Sequence, residues 1–325
     1  MKILAMVLAG GNGTRLHPLT AEHAKPALPF AHGYRIVDFV LSNLVNSDVS
    51  PIYVLAQYKP RSLITHIRTA WAPWPGGAPP AINVVLPETG SEGASFKGTA
   101  DAVYQNLHLI ERERPDLVAV FAADHVYRMD VRQMARFHQK RGAEVSIAAV
   151  PVSLEQASAF GIMATGSAGE LRDFQEKPER PVPIPTDSGR AYASMGNYLF
   201  NPGVLRELLD QANRRGDTDF GHHILPRLPH SHRVFAYDFA SNRIPGVRPH
   251  EKRGYWRDIG TVDAYRAAQR DALGPSPRFN LVNAQWPIRS DAYRVSRRME
   301  SPAAMAPAGT PHVAIGANAN ALVSE

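Results

Sequence analysis

Four groups of residues in this sequence have types and spacings suited to holding anions and cations. The first is Gly10-Gly11-Asn12-Gly13-Thr14-Arg15-Leu16, followed by Lys25 before Pro26. Glycines let backbone N–H groups approach an anion with no Cβ in the way. Arg15 adds a planar, permanently charged fork that matches phosphate oxygens. The turn lacks the G-x-G-x-x-G of a dinucleotide-binding loop and the Gly-Lys-Ser/Thr ending of a P-loop. Taken alone, it also fits a structural β-turn with a surface arginine. The second group is Asp124 with Asp258, far along the chain. Two carboxylates meeting across a cleft suit Mg²⁺, which takes a few carboxylates together with phosphate oxygens and water. The alternatives are a cap or turn role for Asp124 and a surface ion pair with Arg257 for Asp258. The third is Glu176-Lys177-Pro178. A residue before proline is pushed towards extended backbone, from which Lys177 can reach across a pocket to a phosphate. The alternative is an exposed charged pair at a strand end. The fourth is Gly98-Thr99-Ala100-Asp101 after Lys97, a helix start that suits an anion or nucleotide, or simply a capped helix.

The elements that must position these residues follow an alternating order. Ile3 to Ala9 is an apolar run of strand length that delivers the glycine turn. Val37 to Asn46 reads as a helix, with Val40, Leu41, Leu44 and Val45 on one face. Pro51 to Ala56 reads as a strand, Arg61 to Ala70 as a helix and Ile82 to Leu86 as a strand. The segments at 72–80 and 87–97 read as loops. A helix is predicted from Gly98 to about Arg112. The most strand-like run, Asp116 to Ala123, ends at Asp124-His125. In open parallel sheets ligands bind beyond the carboxyl ends of strands, which puts Asp124 where chemistry is expected. Further helices are predicted at 129–141, 202–214 and 262–273, and strands at 144–150, 195–200 and 234–239. Gly161 to Met163 and Leu171 to Phe174 read as edge strands. Alternation of this kind argues for βαβ units and a mainly parallel sheet. Residues 275–311 read as a linker. At 312–322 the apolar positions recur every six residues, as in a β-helix rung.

Composition narrows the function classes. The 44% apolar content is ordinary for a soluble globular chain. No run approaches a membrane span, and the N-terminus lacks the pattern of a secretory signal. The absence of cysteine excludes disulfides, thiolate metal sites and a cysteine nucleophile, and fits a cytoplasmic protein. The net charge of +6 comes from scattered residues. A basic cleft for small anionic substrates explains it as well as nucleic acid does. The histidines, among them His125, His222 and His223, lack His-x₃-His or His-Glu-x-x-His spacing and read as surface or core residues. No Gly-x-Ser-x-Gly elbow is present, and the tryptophans read as packing.

The order of the motifs resembles one family. The stretches are Gly10 to Leu16, Lys25 to Ala27, Tyr34 to Phe39, Gly98 to Val103, Val118 to His125, Ala157 to Gly161, Glu176 to Pro178, Ala193 to Gly196, Tyr255 to Thr261 and Asn283 to Arg289. In this order they resemble the sugar-1-phosphate nucleotidyltransferases. Within that family they are most similar to the bacterial glucose-1-phosphate adenylyltransferases (ADP-glucose pyrophosphorylases). The resemblance implies an α/β fold: a Rossmann-like nucleotidyltransferase domain with a mixed, mainly parallel sheet over residues 1–274. A linker and the truncated start of a left-handed β-helix would follow at 275–325. It implies transfer of AMP from ATP to glucose 1-phosphate for glycogen (alpha-glucan) biosynthesis, with Mg²⁺ held by Asp124 and Asp258. Arg15, Lys25 and Asp124 would be catalytic. Ala9, Gly10, Gly11, Thr14, Arg15, Gln57, Gly98 and Thr99 would bind ATP. Gly161, Glu176, Lys177 and Ser194 would bind glucose 1-phosphate. No nucleic acid or membrane partner is implied, and the family forms homo-oligomers, tetramers among them.

The sequence departs from the family pattern in three places. The first strand starts at Ile3, without a long arm before it. Ser95-Phe96-Lys97 stands where the family carries Trp-Tyr-Arg, and the β-helix pattern reaches only about its first rung. Two other readings are kept: a UTP- or dTTP-using enzyme of the same class, and a non-catalytic regulatory subunit.

Overall fold

Alternation within the first apolar run decides how the sheet is built. In β1 (Ile3–Leu8), Ile3, Ala5 and Val7 pack into one apolar cluster while Leu4 and Met6 pack into another. A strand with both faces buried needs helices on both sides, and the chain supplies them. The computed structural model describes residues 1–31, 33–72, 81–87 and 95–290. The remaining strands are β2 (Pro29–Phe30), β3 (Tyr34–Arg35), β4 (Ile52–Leu55), β5 (Ile82–Val85), β6 (Leu117–Ala122), β7 (His125–Tyr127), β8 (Val145–Ser153), β9 (Gly161–Thr165), β10 (Leu171–Glu176), β11 (Arg190–Phe200), β12 (Val234–Asp238) and β13 (Trp256–Asp258). The helices are α1 (Val37–Asn46), α2 (Pro60–Ala70), α3 (Thr99–Tyr104), α4 (Leu107–Glu113), α5 (Val131–Lys140), α6 (Leu154–Ala157), α7 (Pro202–Arg215) and α8 (Val262–Ala272).

Among the described residues, nine strands form one mixed sheet in the order β10-β9-β11-β6-β1-β4-β5, with β8 joined to β11 and β12 joined to β8. Strands β5, β4, β1 and β6 run parallel, while β11 is antiparallel to β6, β8 and β9. Helices α1, α2 and α5 cover one face, and α3, α4 and α7 the other. In the candidate site β11 matters most. Its first half pairs with β8 and β9. Its second half, from Asn197, pairs with β6 and β8, with a register break between Ser194 and Tyr198. Gly196 sits in that break with φ +68°, in the left-handed region that glycine enters freely. Ser194 to Gly196 are thereby left facing the cleft beyond β6.

Some expectations are corrected. The helix predicted from Gly98 to Arg112 is two helices, broken at Gln105 and Asn106. The Asn106 side chain donates 2.8 Å to the Ala102 carbonyl, satisfying the backbone acceptor that the next helical N–H would have taken. Strand β9 is not an edge strand, because it lies between β10 and β11. Residues 275–290 carry buried apolar side chains. Phe279, Leu281 and Ile288 join a cluster with Phe30, Phe39 and Tyr255, and Trp286 donates to Asn43. The β-helix pattern at 312–322 lies outside the described residues, as do most of the loops at 72–80 and 87–97. Among the described residues, no helix is long and apolar enough to cross a membrane.

Candidate active site

The glycine turn is held from both ends. Ala9 donates 2.9 Å to the Leu55 carbonyl, extending the β1–β4 ladder by one residue. After Gly13, at φ +67°, residues 14–16 form a short 3₁₀ turn that buries Leu16. Thr20 fastens Gly13 by donating 2.9 Å to its carbonyl. Between these anchors Gly10, Gly11 and Asn12 line a cleft of about 590 Å³. A volume of that size suits small-molecule substrates.

Two short strands bring the carboxylates together. Strand β13 pairs antiparallel with β7, and Asp258 stands opposite His125. Asp124 immediately precedes β7, at the end of β6, and its carbonyl accepts from Ile259 N–H at 3.3 Å. Asn43 on α1 pins the other end of β7, donating 3.1 Å to the Tyr127 carbonyl and accepting from Met129 N–H at 2.9 Å. Residues 134 apart in sequence thus become neighbours across a ribbon. Lys25, delivered by the 3₁₀ turn at Lys25–Ala27, inserts its ammonium between them. It lies 2.7 Å from Asp124 and 3.7 Å from Asp258. His125 Nε2 lies 3.2 Å and 3.6 Å from the same two carboxylates. Burial alone would push the Asp124 carboxyl up. Lys25 and His125 outweigh it and hold the group well below the usual carboxylate range, so it is ionised at neutral pH.

These groups fit a hard divalent cation. Ligand atoms of Asp124, His125 and Asp258 lie within 4.8 Å of one another at the rim of the cleft. Two carboxylates that already share one ammonium between them provide the negative oxygens such an ion requires. The alternative for Asp258, a pair with Arg257, is not what forms. Arg257 turns to Asp271 at 2.5 Å.

Of the residues singled out in the sequence, Ala9, Gly10, Gly11, Arg15, Lys25, Gln57, Gly98, Thr99, Asp124, Gly161, Glu176, Lys177, Ser194 and Asp258 all line this one cleft. Thr14 is not among the lining residues. Gln57 holds the wall with an amide already engaged. Its Oε1 accepts from Phe96 N–H at 2.7 Å and its Nε2 donates 3.0 Å to the Phe96 carbonyl. Glu176 and Lys177 form an ion pair at the end of β10. Lys177 is not extended as a residue before proline was expected to be. It sits at φ +50° while its N–H donates 3.0 Å to the Phe160 carbonyl.

The start of α3 offers an anion fewer free donors than its sequence suggests. The Thr218 carbonyl accepts from Ala100 and Asp101 N–H at 2.9 and 3.2 Å, so a fixed backbone oxygen occupies the donors that an anion would need. The hydroxyl of Thr99 is similarly engaged, donating 2.9 Å to Asp219 and accepting from Phe220 N–H. Gly98 is the close-packed point of this junction. A Cβ there would lie 2.3 Å from the Thr218 carbonyl oxygen, which is backbone and cannot swing away. Gly98→Ala is therefore expected to destabilise the protein by about 1–3 kcal/mol as an overpacking change. Thermal melting checks this.

Among the lining residues that sequence reasoning did not assign to the site, four stand out. The rings of His125 and Trp256 meet at a tilt, 5.1 Å apart, and Phe160 meets Trp256 edge-on at 5.4 Å, forming an aromatic wall. Asp219, the fourth, caps the turn after it and reaches the cleft. A signal existed for His125, because it follows Asp124 at the end of the strongest strand. Trp256 gave none beyond its place before Asp258.

A glycine turn, an arginine fork, paired carboxylates with a lysine between them and a second polar wall define a phosphate-handling transferase site on a Rossmann-like sheet. The comparisons agree. The family model described as nucleotidyl transferase matches residues 4–274, and the chain belongs to this family. It is 50% identical over 293 residues to the glucose-1-phosphate adenylyltransferase of Thermodesulfovibrio yellowstonii, covering 90% of this chain and 71% of that protein. Proteins of the same name from Anaeromyxobacter sp. and Thermus thermophilus are 48% and 46% identical, over 88% and 89% of this chain and 70% and 71% of their own lengths.

Proposed function

We propose that the chain transfers the AMP group of ATP to α-D-glucose 1-phosphate, giving ADP-glucose and pyrophosphate for glycogen (alpha-glucan) biosynthesis. The observation that carries this reading is the convergence, in one cleft, of two differently equipped walls. One wall has Gly10, Gly11, Arg15 and Lys25, and the other has Gly161, Glu176, Lys177 and Ser194, with Asp124 and Asp258 between them. The first wall suits a triphosphate, because backbone N–H groups and cations neutralise its oxygens. The second suits a sugar phosphate: a carboxylate and a hydroxyl for sugar OH groups, and an ammonium for the phosphate.

The reaction needs positioning and charge stabilisation more than proton transfer. A phosphate oxygen of glucose 1-phosphate attacks the α-phosphorus of ATP. The bond from that phosphorus to the bridging oxygen breaks, and the electron pair leaves with pyrophosphate. The nucleophile is already an anion, so no general base is required. Arg15 carries no ion pair among the described residues and faces the cleft, where it stabilises charge gathering on the leaving group. Lys25 neutralises the reacting phosphates. Asp124 and Asp258 would hold Mg²⁺, which supplies charge neutralisation of the phosphoryl oxygens. Glu176 holds Lys177 in place beside the sugar-phosphate wall.

A pyrophosphate-release assay across four nucleoside triphosphates and several sugar phosphates tests the reading. ATP with glucose 1-phosphate should give the highest rate, lost with a chelator and restored by Mg²⁺. A preference for UTP or dTTP, or no turnover without a partner chain, would overturn it. Lys177→Gln is expected to raise the KM for glucose 1-phosphate about 10–100-fold, the worth of one charge-assisted hydrogen bond, with the KM for ATP little changed. We also propose a cytoplasmic homo-oligomer, to be read by sizing the active protein.

A further inference from the structure

Beside the cleft lies a second cavity of about 790 Å³. Arg15, Ala159, Phe160, Trp256 and Asp258 line both spaces, so the two share a wall. Charge around the second cavity is lopsided. Its lining holds six cations against the carboxylates of Glu155 and Asp258. Asp258 is already engaged on the cleft side, 3.7 Å from Lys25 and 3.6 Å from His125. Arg257 and Arg278 share a single carboxylate, Asp271, at 2.5 and 3.7 Å. Arg190 holds Asp187 loosely, at 3.6 Å. Lys252 and Arg253 make no ion pair among the described residues. The ammonium of Lys252 is held below the ordinary lysine range, first by burial and then by Arg278 and Arg257. That repulsion is what a bound anion relieves.

Cations gathered around a concavity focus a positive potential and select compact, highly charged anions. Five of the six are guanidinium groups, whose forks match phosphoryl oxygens. We propose that the second cavity is a binding site for a small polyphosphate anion, held by Lys252, Arg253 and Arg278 and joined to the reaction centre through Arg15. Under the adenylyl-transfer reading, on which this identity rests, the ligand is pyrophosphate. The leaving group is the one polyanion generated at Arg15, and it needs no co-reactant to reach the cavity.

The test is a calorimetric titration with the cleft filled by a non-hydrolysable ATP analogue. Pyrophosphate and inorganic phosphate are titrated separately. The wild-type chain should bind one pyrophosphate. The Lys252→Ala/Arg253→Ala variant, and independently Arg278→Gln, should weaken it at least tenfold while initial rates without added product stay within about twofold. If pyrophosphate alone loses affinity, the site is tuned to the released product. If both anions lose affinity equally, it is a site for phosphate anions drawn from solution, and the proposed site stands with that broader ligand. Unchanged binding of both by both variants overturns it. Failure of the adenylyl-transfer reading is seen separately, as absence of pyrophosphate release by the wild type.

Discussion

Replacing Asp124 by asparagine is expected to lower kcat about a thousandfold, with the folded structure retained. Single electrostatic groups at a reaction centre are worth roughly 10²–10³ in rate, and a carboxylate proposed to hold a charge-neutralising cation stands at the upper end. The side chain keeps its shape, so packing at the end of β6 is undisturbed. What disappears is the charge that Lys25 at 2.7 Å and His125 at 3.2 Å hold in its ionised form. Asp258→Asn should cause a similar loss, and the double variant should fall only slightly further, because groups that act as a unit are non-additive. Single-turnover measurement of AMP transfer checks this with saturating substrates. A kcat above about a tenth of wild type would remove the paired carboxylates from the chemistry.

The largest expected effect on stability lies away from the cleft. Glu251→Ala should destabilise the fold by about 3–5 kcal/mol, the usual result of leaving one member of a buried ion pair alone. Glu251 meets Arg128 at 3.2 Å with side chains only 3% and 4% exposed. Burial pushes the Arg128 guanidinium down to about 10, against the pull of Glu251. Glu251 also accepts from Asn280 N–H at 3.0 Å and Arg248 N–H at 2.8 Å. Arg128 stacks 4.5 Å from Phe279. One carboxylate thus ties the segment after α8 to β7. Thermal unfolding of Glu251→Ala should show a midpoint lower by on the order of 10 °C. An Arg128→Met/Glu251→Leu variant should recover most of that, because removing both charges removes the desolvation penalty.

Much of the cleft was legible in the sequence because its parts are local. Gly10 to Arg15 is a turn whose glycines and arginine announce anion binding without reference to anything distant. Asp124 stands at the end of an apolar run, where parallel sheets expose their chemistry. The helix Val37 to Asn46 follows directly from its apolar period. What the chain concealed depends on long-range contacts. The β7–β13 ribbon joins three-residue strands, too short for an alternation signal. The helix start at Thr99 resembles an anion site until Thr218, more than a hundred residues on, places its carbonyl there. Lys177 departs from extended backbone because its N–H is drawn to the Phe160 carbonyl, which no local preference encodes. Residues 275–290 read as a linker because proline hides the spacing of Phe279, Leu281 and Ile288, whose burial depends on α1 and α8 already being in place.

The ribbon that joins Asp124 to Asp258 also sets the order in which the enzyme can come into being. The glycine turn, Lys25 and Asp124 are complete once β6 has emerged, and an N-terminal portion can fold ahead of the rest. Asp258 arrives on β13, the last described strand, after every strand of the main sheet. Until then Lys25 has only Asp124 as an acidic partner at this point. In chain order, the glycine turn, Lys25 and Asp124 precede the second carboxylate. The pair of carboxylates is complete only when β13 pairs with β7.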